Sequence, residues 1–227
     1  MTRGILIAGN ESSLFRAAAS EAGKRVQSFG TALISNRISL PDGAGVPPSR
    51  PDSTEGAIAL SWNPASSISA RTLLIAAENR LQKIDNAILV CSPPAVFKTS
   101  ETLLPEDIEI MVNDHIKGWF FLVRELALYF RRSAGGSLSF AVPRAAPGGA
   151  RNSQADLLGP SAASSFRSFA QGILDTSVNE PFQAMGFTGY EDGSESEFAA
   201  WFFKIIDEGS RKNSGRWHQY SKLRLFR

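Results

Sequence analysis

Continuous apolar runs alternate along this chain with segments whose apolar residues recur every three or four positions, and that alternation predicts the architecture. GILIAG, from Gly4 to Gly9, is an unbroken apolar run ended by Gly-Asn, as expected of a strand buried on both faces. TALIS, AIALSW, NAILVC and SLSFAV read the same way. Helical spacing appears in LFRAAASEAGKRVQSF, which Ser12 or Ser13 can cap, and in SARTLLIAAENRLQKI, with Leu73, Ala76, Ala77, Leu81 and Ile84 apolar. After Val142 the pattern predicts a loop, a helix around SAASSFRSFAQGIL and a strand near PFQAMGFTG. A helix over SESEFAAWFFKIIDEG and a strand-like SGRWHQY follow. Ser194 with Glu197 fits a capping box for the last helix. Strands alternating with helices predict parallel pairing through right-handed crossovers, hence an α/β fold with a doubly wound parallel sheet in a single domain. Residues 41–56 depart from the scheme, being rich in Pro, Gly and Ser where a crossover helix would be expected.

The longest periodic segment runs from Pro105 to Arg132. Pro105, Glu106 and Asp107 suit a first turn, because a missing N–H costs little there and negative charge suits the dipole. Ile108, Val112, Ile116, Phe120 and Val123 predict the face buried against the sheet. Trp119, Phe121, Leu122, Leu126, Leu128 and Phe130 fill much of the remaining surface, which predicts burial on two sides. Covering the second side requires another copy of the chain, so a homodimer or homotetramer is expected through residues 108–130 and the helix at 161–174.

Composition changes this picture little. The 227 residues are 43% hydrophobic and 20% charged, and a net charge of +2 points to neither nucleic acid nor membrane. Cys91 is the sole cysteine and sits among apolar neighbours, as a small buried residue does. WFFLVRELALYF, the most apolar window, is interrupted by Arg124 and Glu125, and no apolar leader precedes GILIAG, so a cytoplasmic protein is expected. His115 and His218 are too few to build a metal site with Cys91. Residues 210–227 form a basic C-terminal strand and tail in which Arg211, Lys212, Arg216 and Lys222 alternate with Trp217 and Tyr220. Such alternation can bind single-stranded nucleic acid, but no basic excess elsewhere complements it, and a solvated or subunit-contacting terminus is the preferred reading.

The run MVNDHIKGWFFLVRELALYFRRSAGGSLSFAV resembles the helix-then-strand segment of short-chain dehydrogenases/reductases, with Asn113, Gly118, Gly136 and Ser137 at the matching positions. The resemblance implies a Rossmann-like fold and an NAD(P)-dependent oxidoreductase ancestry. It also implies a ligand crevice beyond the carboxyl ends of the strands, at the turns after Gly9, Ser35, Trp62, Val90, Val142 and Phe187. Family members read TGxxxGxG at the first turn, whereas AGNESSLF keeps Gly9, puts Ser13 and Phe15 at the later glycines and adds Glu11. Candidate cofactor contacts on this basis are Gly9, Ser12, Ser13, Arg37 at a 2′-phosphate and Asn63 at an adenine. CSPP stands where the family has NNAG, so Pro94 replaces a glycine. In the family's Asn/Ser/Tyr/Lys relay only Asn113 matches, Pro143, Gly159 and Ala163 occupy the other positions, and no YxxxK occurs anywhere. Losing a positioned general acid costs roughly 100- to 10,000-fold in rate. The resemblance therefore implies a catalytically disabled relative that acts by binding or regulation, with no NAD(P) or only weak binding and room for a small-molecule ligand. The alternative is a divergent oxidoreductase with a non-standard proton donor such as Tyr190.

Overall fold

In the computed structural model the described residues are 3–34, 55–143, 156–189 and 193–221. Ser35, Arg37, most of the loops expected at 41–56 and 143–160, Tyr190 and the tail beyond Ser221 lie outside them.

Seven strands form one parallel sheet: β1 (Ile5–Asn10), β2 (Phe29–Ile34), β3 (Ala57–Leu60), β4 (Asn86–Val90), β5 (Ser137–Ala141), β6 (Gln183–Thr188) and β7 (Arg216–Gln219). Their order is β3-β2-β1-β4-β5-β6-β7, and the pairing of Gly9 with Val90 sets the AGNES turn beside AILVC as the apolar pattern implied. Strand alternation sends Leu6, Ala8, Ala87, Leu89, Leu138 and Phe140 to one face, under α2 (Ser67–Leu81), α4 (Gly118–Arg132) and α5 (Leu158–Thr176). Ile5, Ile7, Ile88, Val90 and Ala141 face the other layer, built from α1 (Ser13–Gly23) and α6 (Glu195–Glu208). The fold is thus a doubly wound α/β sandwich with both sheet faces covered.

The long helical segment is not one regular helix. α3 (Pro105–Val112) passes through a π-helical turn, Asn113–Lys117, into α4. Nor does the expected stripe face the sheet as a whole: Val123 is buried and Ile116 half-buried, but Ile108, Val112 and Phe120 are exposed, together with Leu128 from the second side. Ile108, Val112, Phe120 and Leu128 are 43%, 42%, 48% and 45% exposed, whereas Asp107, Met111, Asp114, His115, Trp119, Leu122, Val123, Leu126 and Phe130 are buried. The two stripes lie side by side, one residue or about 100° apart on the helix. Polar Asp107, Asp114 and His115 disguise the buried one in the sequence. Gly118 and Trp119 decide between them: a Cβ on Gly118 would lie 2.4 Å from Pro64 Cβ, and Trp119 packs between Trp62 and Phe166 with ring centroids 5.5 and 5.0 Å away.

Two ends also differ from expectation. Ser194 precedes α6 without a side-chain cap hydrogen bond, and Glu197, its expected reciprocal partner, accepts from Tyr220 Oη at 3.3 Å. α2 ends at Gln82 with φ 63° and ψ −34°, a conformation that costs a non-glycine residue about 1–3 kcal/mol.

Phe130, fully buried and packed on Tyr129 and Phe182 beneath β5, tests this packing. Phe130→Ala should lower unfolding free energy by about 3–5 kcal/mol in urea titration.

Candidate functional site

Strand order reverses between β1 and β4, so the crevice between their carboxyl ends is where a doubly wound sheet binds its ligand. At the first turn the chain packs closely on itself. A Cβ on Gly9 would lie 2.7 Å from Val90 O and 3.0 Å from Phe15 Cδ2, so the buried Phe15 ring closes directly over the turn. Asn10 clamps the opening. Its Nδ2 donates to Ser92 O and its Oδ1 accepts from Ser92 N–H at 3.3 Å, tying the end of β1 to the loop after β4.

Both candidate serines serve local structure. Ser12 adopts extended φ −154° and ψ 163° and its Oγ accepts from Phe15 N–H at 3.1 Å, an N-cap for α1. Ser13 Oγ donates to Glu195 Oε1 at 3.0 Å, so a carboxylate from the start of α6 stands at the amino end of α1. Burial alone would raise the Glu195 carboxyl. Hydrogen bonds from its own backbone, Ser13 and Gly193 outweigh it and hold the group below the ordinary carboxylate range. Glu11 adds a second negative charge, partly offset by Arg16 at 3.6 Å.

The remaining candidates are spread along the same edge. Asn63 is exposed in a turn, where its Oδ1 accepts from Ala65 N–H at 3.1 Å and its N–H donates to Ser69 Oγ at 2.8 Å. Arg37 lies outside the described residues. Pro143 follows β5, while Gly159 and Ala163 lie in the first turns of α5. Gly159 is buried, its N–H donates to Asp156 Oδ1 at 2.9 Å, and a Cβ there would meet Asp156 Oδ2 at 2.3 Å and Pro94 O at 3.2 Å. Half-buried Asn113 opens the π-helical turn. Such turns insert one residue into the helical ladder and occur frequently at functional sites.

Sequence reasoning missed the Asn10 clamp, the Glu195 contact and the Trp62–Trp119 pair. Each joins positions dozens of residues apart, for which no local pattern exists. Trp62 Nε1, Trp119 Nε1 and His115 Nδ1 are buried without hydrogen-bond partners among the described residues. Burial holds His115 neutral, with its pKa lowered to about 4, and pushes the Cys91 thiol far above its usual range. Tyr129 is committed to the core, where its hydroxyl accepts from Ile84 N–H at 2.9 Å. Among the described residues no cluster of His, Cys, Asp or Glu could hold a metal ion, and no helix is long and apolar enough to cross a membrane.

This geometry defines a Rossmann-like fold, and solved structures share it. A short-chain dehydrogenase from Mycobacterium smegmatis superposes with TM-score 0.73 at 13% identity, covering 99% of this chain and 94% of that one. An NADH-dependent reductase A1-R′, solved with NAD, gives 0.72 at 13% identity, with 96% and 95% covered. A doubly substituted short-chain dehydrogenase/reductase of Serratia marcescens gives 0.71 at 10% identity, again with 96% and 95% covered. No family model matches the chain, and no curated protein matches it.

His115 supplies a test of the buried π-turn face. A histidine whose folded pKa is lowered stabilises the fold above its unfolded value near 6.5 and loses that contribution as pH falls toward about 4. Unfolding midpoints should therefore drop across that window, and His115→Gln should flatten the drop.

Proposed function

We propose that this chain is a divergent relative of the short-chain dehydrogenases/reductases whose redox chemistry is disabled and which acts by binding or regulation. The observation that carries the reading is the close packing at the start of α1. A pyrophosphate needs close backbone approach and free amides at a helix N-terminus. Phe15 covers Gly9, Asn10 bonds the Ser92 backbone, and the Glu195 carboxylate stands where phosphate charge would have to be accepted. The residues present do not fit a dinucleotide. Pro143, Gly159 and Ala163 likewise offer no carbonyl donor, proton donor or ammonium at the positions the resemblance assigns.

A second reading, a divergent NAD(P)-dependent oxidoreductase with a non-standard proton donor, draws support from the reductase-type fold and from the π-helical turn that opens at Asn113. Nucleic-acid binding is disfavoured, because Trp217 is already engaged: its Nε1 donates to Gln171 Oε1 at 2.9 Å and the Arg167 guanidinium lies 4.7 Å over its ring.

The exposed stripe of Ile108, Val112, Phe120 and Leu128 supports a homodimer or homotetramer through α3, α4 and α5. Phe120 extends the stripe onto α5, its ring centroid 4.1 Å from that of Phe169.

Calorimetry with NADPH and NADH should show no binding or weak binding, and a panel of carbonyl compounds should not oxidise NADPH. Tight binding without turnover would leave a cofactor-sensing protein, while turnover would establish the oxidoreductase. Light scattering at micromolar concentration should give a dimeric or tetrameric mass, and Phe120→Asp should convert it to monomer with the fold retained.

A further inference from the structure

A second recess lies on the opposite edge of the sheet, at the amino ends of β1, β4, β5 and β6. It has a volume of about 610 Å3, and its wall includes Arg3, Gln82, Asn86, Ser137, Gln183 and Asp207. Asn86 is only 4% exposed, and its Oδ1 accepts from Arg3 Nη2 at 3.0 Å and Ser137 Oγ at 2.6 Å. Because Arg3 can only donate, these bonds fix the amide orientation. Asn86 Nδ2 then lines the recess without a hydrogen bond among the described residues. Gln183 supplies the complementary group: its Nε2 donates to Gly209 O at 2.9 Å, which leaves its Oε1 as an open acceptor. Gln82 adds a further amide, held there on a backbone with φ 63°.

We infer that this recess binds a small uncharged polyhydroxyl compound, of the size of a monosaccharide or cyclitol. The charges in its wall are already neutralised in pairs, Arg3 with Asp207 and Lys83 with Asp85 at 2.7 Å, so a charged ligand would have to displace a partner. The carboxyl ends of α2 and α6 meet here and present carbonyl oxygens and negative dipole ends, which disfavour phosphate. What remains is an unpaired amide donor and an unpaired amide acceptor in one recess. A polyol satisfies both, because each hydroxyl donates and accepts from a single oxygen. The site is independent of the crevice at the opposite edge, so its test does not depend on the reading of that crevice.

The experiment follows the side-chain amide resonances of Asn86, Gln82 and Gln183 in 15N–1H NMR of the full chain during separate titrations with D-glucose, myo-inositol and inorganic phosphate. Saturable shifts of the Asn86 amide with either polyol and none with phosphate are expected. Asn86→Asp keeps the oxygen that Arg3 and Ser137 need while removing the donor. Gln82→Gly relieves the backbone while removing an amide. Each should weaken polyol binding roughly tenfold, read from backbone resonances of the recess, and Gln82→Gly should also raise the melting temperature. Absence of saturable shifts with both polyols, affinity in both variants unchanged from the unsubstituted protein, or a response to phosphate at the same residues overturns the inference.

Discussion

The close approach of α4 to the sheet, with Gly118 against Pro64 and Trp119 lodged between Trp62 and Phe166, governs most of what surrounds it. Burying an indole removes roughly 150–250 Å2 from water, worth about 4–6 kcal/mol, and each aromatic pair adds about 0.5–1.5 kcal/mol. The unpaired Nε1 of Trp119 costs about 1–3 kcal/mol, so packing wins. Once Trp119 points inward, the rotation of the whole segment follows. Asp107 is drawn inside, where its carboxyl is held low first by the Lys98 hydrogen bond and also by the Leu104 N–H. Ile108, Val112, Phe120 and Leu128 are turned outward, into the stripe that bears on assembly.

At the carboxyl edge close packing also sets the local arrangement. A doubly wound sheet leaves a crevice wherever its strand order reverses, and an uncovered crevice would expose the backbone ends of β1 and β4. This chain covers them with its own groups: a phenyl ring over Gly9, an amide across to Ser92 and a carboxylate at the start of α1. The opposite edge is the reverse case, an open recess whose charges are paired but whose amides are not.

The parallel sheet was legible in the sequence because strands buried on both faces must be apolar throughout, and GILIAG, NAILVC and SLSFAV are. Ser13, Phe15, Pro94, Pro143, Gly159 and Ala163 are residue identities that no folding can alter, and the proposed loss of the reductase relay rests on the positions that the resemblance assigns to them. Ile108, Val112 and Phe120 of the stripe on the long helix were misread by one position, while Val123 is buried as expected, because two adjacent faces are both apolar and the buried one carries Asp107, Asp114 and His115.

By itself, then, the sequence determined the element types and their alternation, both of which depend on local periodicity. Only the tertiary structure decided which helix face turns inward, that Ser13 meets Glu195, that Asn10 meets Ser92, and that Asn86 and Gln183 line one recess. The physical reason is range. Periodicity reports on neighbours one turn or one pleat away, whereas these contacts join residues brought together by strand order and helix docking, and those depend on the fit of buried volumes across the whole chain.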